Sequence, residues 1–197
     1  MLKITTHSKK HKMAGMFSLN TSTIENTFCQ SMRKCEDTIC HGCYAYSQTR
    51  RYKALELNNI ANGTELSTTK IMPIYVPFTM FRFNSFGELI NELHLENLII
   101  IVKANPHCTF ALWSKRSDIV KAVFTRIKKP VNMILIYSSP IKNVVSKKPV
   151  KFDKVFTVFT RPFIRDNGTS INCQQSCFAC RICYTKNEIV NISESIR

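Results

Sequence analysis

The chain has 197 residues, of which 44% are hydrophobic, enough for one domain with a buried core. It carries 28 basic and 13 acidic residues, and the resulting net charge of +15 favours a polyanion, such as nucleic acid, as a partner. The sequence contains no apolar stretch long enough to cross a bilayer and no apolar segment of a signal peptide near its start. We therefore predict a single cytoplasmic domain over residues 1–197, without membrane contact.

Short apolar segments alternate along the chain with longer segments of helical character. Strands are predicted at 16–19, 78–84, 108–113, 131–137 and 154–160. Helices are predicted at 44–61, ending before Asn62-Gly63, at 85–103, and from Ser117 to before Pro130. Residues 64–76 are predicted to be a link, and the segment after residue 183 a polar tail.

Strands that alternate with capped helices indicate βαβ units, and hence an α/β fold with a mostly parallel sheet. Four or five strands are too few for a complete eight-stranded barrel, so we predict a partial, open βα barrel with its core at 74–160.

Eight of the nine cysteines fall into two tight clusters, one near each end of the chain. The cluster at 29–43 reads Cys29-x5-Cys35-x4-Cys40-x2-Cys43. The cluster at 173–183 reads Cys173-x3-Cys177-x2-Cys180-x2-Cys183. Because thiols stay reduced in the cytoplasm and closely spaced thiolates converge on metals, we predict that all eight are metal ligands. The first cluster precedes the opening helix and the second follows the last strand, so we expect both at one edge of the sheet.

The metal could be iron or zinc. Cys40/Cys43 and Cys180/Cys183 together would suit one tetrahedral zinc ion. The three-cysteine loop from Cys35 to Cys43, joined by a fourth ligand from elsewhere, suits a [4Fe–4S] cluster better. We therefore favour one or two [4Fe–4S] clusters, with zinc as the alternative. The isolated Cys108 is expected to be a small core residue, and His41 and His107 bystanders.

Polar residues that follow the predicted strands form a second candidate site. In parallel sheets, ligands bind at the carboxyl ends of the strands. Five residues there are predicted to bind a cofactor: Arg82, Asn84, Glu88, Lys115 and Arg116. Arg82 stands in an aromatic strand, where a guanidinium needs a partner or a cavity. Ser85 and Glu88 also have the spacing of a capping box, and for Glu88 we favour that role.

Four segments in this order resemble the bacteriophage gene-product-eighty-eight-type proteins. They are Cys35-x4-Cys40-x2-Cys43-Tyr-Ala, Phe81-Arg-Phe-Asn-Ser-Phe-Gly-Glu88, Asn105-Pro106 leading to Phe110-Ala-Leu-Trp-Ser-Lys-Arg116, and the second cysteine cluster. The resemblance spans most of residues 15–185. Relatives tend to carry Gly-Asp where this chain has Gly87-Glu88, and Cys29 lies outside the family motif.

The resemblance implies a phage origin and a cysteine-bound cluster beside a fragment of a radical-S-adenosylmethionine-like barrel. The biochemical role of that family is undefined. Cys173-x3-Cys177-x2-Cys180 has the three-cysteine spacing of radical S-adenosylmethionine enzymes, but it follows the last strand instead of the first.

Two functional hypotheses follow. The first is a phage-type iron–sulfur protein in the host cytoplasm that acts on or binds nucleic acid, with enzymatic activity left open. The alternative is a zinc-stabilised protein without catalysis that binds nucleic acid or a host protein. The net charge and the aromatic residues Phe81, Phe83, Trp113 and Tyr184 motivate it.

Overall fold

The computed structural model describes residues 1–7 and 12–196. Its strands form one sheet in which spatial order follows chain order, with open edges at the first and last strand. The strands are β1 (Ile4–Thr6), β2 (Phe17–Leu19), β3 (Met80–Phe83), β4 (Thr109–Ser114), β5 (Met133–Ser138), β6 (Lys154–Thr160) and β7 (Asn191–Ile196). β1 and β2 are antiparallel, and every other neighbouring pair is parallel. The prediction of an α/β fold with an open, mostly parallel sheet is confirmed.

Helices connect most of the parallel strands. They are α1 (Thr27–Lys34), α2 (Tyr44–Arg51), α3 (Lys53–Thr68), α4 (Glu92–Ala104), α5 (Ser117–Arg126), α6 (Arg161–Asn167) and α7 (Cys177–Cys180). The first three lie between β2 and β3, and the last two between β6 and β7.

Side chains alternate between the two faces of the sheet, as the strand repeat requires. On one face, Phe81, Phe83, Phe110 and Leu112 join residues of α4 and α5 in the larger core cluster. We call this the helical face. The opposite face carries Arg82, Ala111, Trp113, Ile134 and Ile136. It packs against Cys183 and Tyr184, and we call it the cysteine face.

The predicted helix at 44–61 is wrong in its bounds. The segment forms two helices that meet at Tyr52, and the second continues through Asn62 and Gly63 to Thr68. Asn62 is a tertiary anchor, because its side chain donates to the carbonyls of Lys3 and Asn20. Gly63 allows close packing, since an added Cβ would lie 3.3 Å from Ile90 Cδ1. Residues 64–68 are therefore helical instead of part of a link.

The predicted capping box at Ser85 and Glu88 is also wrong. The helix begins at Glu92, and its N-cap is Asn91, whose side chain accepts a 2.9 Å hydrogen bond from His94 N. Glu88 is buried and accepts hydrogen bonds from the neighbouring strand connection. Its carboxylate therefore belongs to the carboxyl edge of the sheet instead of to the helix start.

Five elements were not predicted, namely β1, α1, α6, α7 and β7, and two of these bear directly on the cysteines. The polar tail contains β7, which pairs with β6 over its whole length and turns Ile192 and Glu194 inward. The first cysteine cluster contains α1, which begins after the N-cap Asn26 and includes Cys29. Both additions matter for the cysteines, because each positions one cluster.

Candidate metal centres

The first cysteine cluster is carried by two helices and the turn between them. Cys29 lies in α1, Cys40 lies in the turn, and Cys43 is the N-cap residue of α2. The charges of all three thiols act on the pKa of Lys115, which directly follows β4. We call Cys29, Cys40 and Cys43 the N-terminal cysteine group.

Four hydrogen bonds hold this group at the ends of the strands. The side chain of Asn26 accepts from Cys29 N at 3.1 Å and donates to Glu88 O at 3.0 Å. Ile39 N donates to Pro140 O at 2.8 Å, which docks the turn on the loop after β5. Tyr44, the first residue of α2, donates its hydroxyl to Ser85 O at 2.9 Å. The group therefore lies at the carboxyl ends of β3, β4 and β5, where parallel sheets bind ligands.

A carboxylate and an ammonium group lie beside these thiols. Glu88 accepts hydrogen bonds from Ser114 Oγ at 2.6 Å, Lys115 N at 2.7 Å and Leu89 N at 2.8 Å. Lys115 Nζ donates to Ser138 Oγ at 3.2 Å, and its positive charge acts on the pKa of the Cys40 thiol. Two of the predicted cofactor-binding residues, Glu88 and Lys115, are thus brought together with cysteines.

Burial controls the protonation of the site. It raises the pKa of Cys29 and of Cys40, and the positive charge of Lys115 only partly opposes this effect. Burial also raises the pKa of Glu88, although Lys115 and Ser114 favour its ionised form. For Lys115, burial alone would lower the pKa, but Cys40, Glu88 and Cys29 raise it above its ordinary value. Burial therefore favours the protonated thiols of Cys29 and Cys40, and a metal ion must displace those protons in order to bind.

Cys35 lies apart from this group. It is the exposed C-cap residue of α1, and its thiol donates to Ser31 O at 3.7 Å. Six residues of helical rise place it about 9 Å along the helix axis from Cys29. Cys29 lies near the start of α1, on the part of the helix beside Lys115 and Glu88.

The second cysteine cluster lines a single pocket on the cysteine face. The four thiol-bearing residues are Cys173, Cys177, Cys180 and Cys183, and we call them the C-terminal cysteine group. Cys177 and Cys180 are the ends of α7, and Arg181 turns the chain back with φ 53°. Cys183 then reaches the sheet, where it is buried against Trp113 and Ile134.

Backbone hydrogen bonds fix the C-terminal group over the sheet. Cys173 N donates to Ser193 O of β7 at 3.0 Å, and Cys177 N donates to Lys12 O at 2.8 Å. Burial raises the pKa of Cys183 to about 12, against the opposing charge of Arg82. Burial also raises the pKa of Cys173 and of Cys177, which favours their protonated thiols.

The two groups occupy different places on the sheet. The N-terminal group lies beside residues that follow β3, β4 and β5, whereas Cys183 lies near Lys154 at the start of β6. The predicted common edge is therefore not shown. All nine cysteines are free thiols. Within residues 1–7 and 12–196, no three His, Cys, Asp or Glu side chains already converge on one ion position.

Of the other predicted site residues, Arg116 has a structural partner, whereas Asn84 has an unpaired side-chain donor. Asn84 is buried at the end of β3 with φ 55°, and its Nδ2 has no hydrogen-bond partner. Arg116 forms a bidentate pair with Asp118. Cys108 is buried in the larger core cluster, as predicted. His41 contacts the carbonyl of Arg33, and His107 contacts that of Val76.

Sequence reasoning missed Asn26 and Tyr44, which hold the N-terminal group in place. Asn26 followed by Thr-Phe-Cys could have been recognised as a helix N-cap. The contact between Tyr44 and Ser85 joins positions 41 residues apart and has no local sequence signal.

Comparisons with family models, curated proteins and solved structures found no match to this chain. The resemblance to the phage family therefore stays a prediction. Among the described residues, no helix is long and apolar enough to span a membrane.

Proposed function

We propose that this chain is a phage-type iron–sulfur protein of the host cytoplasm whose reactive centre lies at the carboxyl edge of an opened βα barrel. The observation that carries the proposal is the gathering of Cys29, Cys40 and Cys43 around Lys115 and Glu88. Cysteines from α1, from the turn and from the start of α2 lie near a buried carboxylate and an ammonium group, at the edge where parallel sheets bind ligands.

The donor set fits an iron–sulfur cluster. Thiolates are the usual ligands of [4Fe–4S] clusters, and a buried cluster with thiolate ligands carries net negative charge. Lys115 supplies a nearby positive charge, and Cys43 stands at the N-terminus of α2, where free backbone N–H groups favour anions. The thiols would have to turn inward as the metal binds, which rotation about their χ1 angles allows.

The two cysteine groups differ in how many iron coordination positions they would leave free on a cluster. The three cysteines of the N-terminal group would hold a [4Fe–4S] cluster and leave one iron without a protein ligand. Such an iron can bind and activate a small molecule. Lys115, Glu88 and Ser138 lie where that molecule would bind. They can neutralise its charge and hold or accept a proton. The four cysteines of the C-terminal group would fill every position of a second cluster.

Anaerobic purification tests this proposal through iron, acid-labile sulfide and zinc analysis. Wild type is expected to contain iron and sulfide in equal amounts. Cys40→Ser should lose the iron and sulfide of one cluster, whereas Cys108→Ser, which changes a cysteine in the core, should keep them. A colourless wild-type protein that contains stoichiometric zinc would rule the proposal out in favour of the zinc alternative.

Nucleic-acid binding is a second candidate function, favoured by the outer surface of α1 and α2. Arg33 and Arg50 both lie over the ring of Tyr46, at 3.6 and 5.7 Å from guanidinium carbon to ring centroid. The exposed residues Lys34 and Arg51 extend this surface, and neither helix contains an acidic residue. Cations interleaved with aromatic rings suit single-stranded nucleic acid, which offers phosphates and stacking bases.

Binding of a single-stranded oligonucleotide over a salt series tests this candidate. Arg33→Ala/Arg50→Ala should weaken binding and reduce its dependence on salt concentration. The matched control is Lys103→Ala/Lys121→Ala, which removes two exposed charges from α4 and α5. Equal losses in both double variants would show that only overall charge matters, and no binding at low salt would exclude the function.

A further inference from the structure

Arg82 is a buried cation on the cysteine face without an acidic partner. Only 9% of the residue is exposed, and its guanidinium lies over the Trp113 ring at 3.9 Å. Nη1 donates to the sulfur of Met13 at 3.4 Å, a weak acceptor, and Nε has no hydrogen-bond partner. None of the ion pairs within residues 1–7 and 12–196 includes Arg82. A buried charge without a partner strongly destabilises a fold, so this arginine requires an explanation.

Two other buried donors beside Arg82 also have no partner. Trp113 Nε1 and Tyr184 Oη make no hydrogen bond, and their rings lie 6.0 Å apart. Both residues are only 6% exposed. Three unsatisfied donors on neighbouring side chains indicate that the protein is arranged for an acceptor or an anion at this position.

The C-terminal cysteine group lies on the same face of the sheet, since Cys183 is buried in one cluster with Trp113 and Tyr184. Tyr184 lines the same pocket as the four cysteines. The charge of Arg82 acts on both Cys177 and Cys183. The other nearby cations are already engaged, since Lys12 pairs with Glu194 at 2.5 Å and Lys154 donates to Asn187 and Ile189.

We propose that the C-terminal cysteine group binds a metal centre as four thiolates and that Arg82 is the counter-charge of that centre, assisted by the N–H of Trp113 and the O–H of Tyr184. This inference rests on the proposed function, because it requires metal on Cys173, Cys177, Cys180 and Cys183. Four thiolates outweigh the positive charge of either a zinc ion or a [4Fe–4S] core. The loaded site is therefore an anion that the buried guanidinium stabilises. Arg82 is a positioning residue and does not bind the metal itself.

The inference predicts opposite effects of Arg82 in the metal-free and the loaded protein. Without metal, the guanidinium has no anionic partner among the described ion pairs, so Arg82→Met should leave stability unchanged or raise it. With metal, the same substitution removes the counter-charge. If Arg82 had only a structural role, Arg82→Met would instead destabilise both forms equally.

The experiment uses a Cys40→Ser background, which removes the N-terminal centre and leaves the C-terminal one. Arg82→Met is expected to lose its metal to a chelator about tenfold faster than the background protein. If the centre is redox-active, the reduced form, which carries more negative charge, should be disfavoured about tenfold, or about 59 mV for one electron. Arg82→Lys keeps the charge and should restore most of both properties.

Arg126→Met is the matched control, because this exposed arginine pairs with Glu92 and Glu96 on the helices of the other face. It should change neither metal loss nor midpoint potential. The inference is overturned if Arg82→Met retains metal like the background protein, or if it destabilises the metal-free and loaded forms equally. Failure of the proposed function is seen separately, as equal metal content in the wild-type protein and in the Cys183→Ser variant.

Discussion

Replacing Gly87 by alanine tests the loop that carries Glu88 to the carboxyl edge of the sheet. Gly87 has φ +79°, and a Cβ at this position would lie 2.5 Å from Thr21 O and 2.8 Å from Thr21 C. Both are backbone atoms, so rotation of a side chain cannot relieve the contact. The loop and the segment after β2 would have to move apart.

Two effects add in this variant. The left-handed conformation costs an alanine about 1–2 kcal/mol, and overpacking at a close contact costs about 1–3 kcal/mol. The expected loss in the free energy of unfolding is therefore about 2–5 kcal/mol. The shift would also displace Glu88, whose carbonyl accepts from Asn26 and Thr21, and should lower the metal content of the N-terminal group.

Gly168→Ala separates the two effects. Gly168 also has a positive φ, at +61°, but no atom lies within 4 Å of an added Cβ. This variant should lose only the conformational share, about 1–2 kcal/mol. The assay is urea unfolding of metal-free samples, followed by circular dichroism. Equal losses in the two variants would refute the close approach of Gly87 to Thr21.

Three further predictions concern residues around the site and the core. Asn26→Ala and Asn91→Ala should each lower the free energy of unfolding by about 1 kcal/mol, because each removes a helix cap. Only Asn26→Ala should also speed the loss of metal to a chelator. Glu88→Gln places an amide against Ser114 Oγ and Lys115 N, which donate to the carboxyl group of Glu88. It should lower the free energy of unfolding by about 1.5–3 kcal/mol in urea at neutral pH. An unchanged midpoint would contradict this. Burial lowers the pKa of His94 from 6.5 to about 3, so the unfolded chain binds a proton that the folded chain rejects. Stability should therefore fall by about 1.4 kcal/mol per pH unit as pH drops from 6.5 towards 3, and His94→Gln should remove that slope.

The central strands could be predicted because their pattern is local. β4, β5 and β6 are runs of apolar and aromatic residues between turn residues, and the sheet buries both of their faces. β7 reads as polar because it is an edge strand in which only Ile192 and Glu194 are buried. Its position depends on pairing with β6, which no short segment reveals.

The two cysteine clusters could be told apart in the sequence, but not which thiols of the first cluster lie together. Their spacing identifies candidate ligands, whereas the docking of residues 38–39 on the loop after β5 decides which thiols lie together. The sequence pattern favours Cys35 as a ligand, but in the structure Cys29 of α1 is the residue near Lys115. Glu88 was misassigned for a similar reason, because Ser114 and Lys115, which bind it, lie 26 and 27 residues away.

Anaerobic purification followed by joint analysis of iron, acid-labile sulfide and zinc tests the central claim most directly. We predict a brown protein with broad visible absorbance, in which iron and sulfide are equal in amount and decrease together in Cys40→Ser. A colourless protein with stoichiometric zinc and without sulfide would contradict the iron–sulfur assignment.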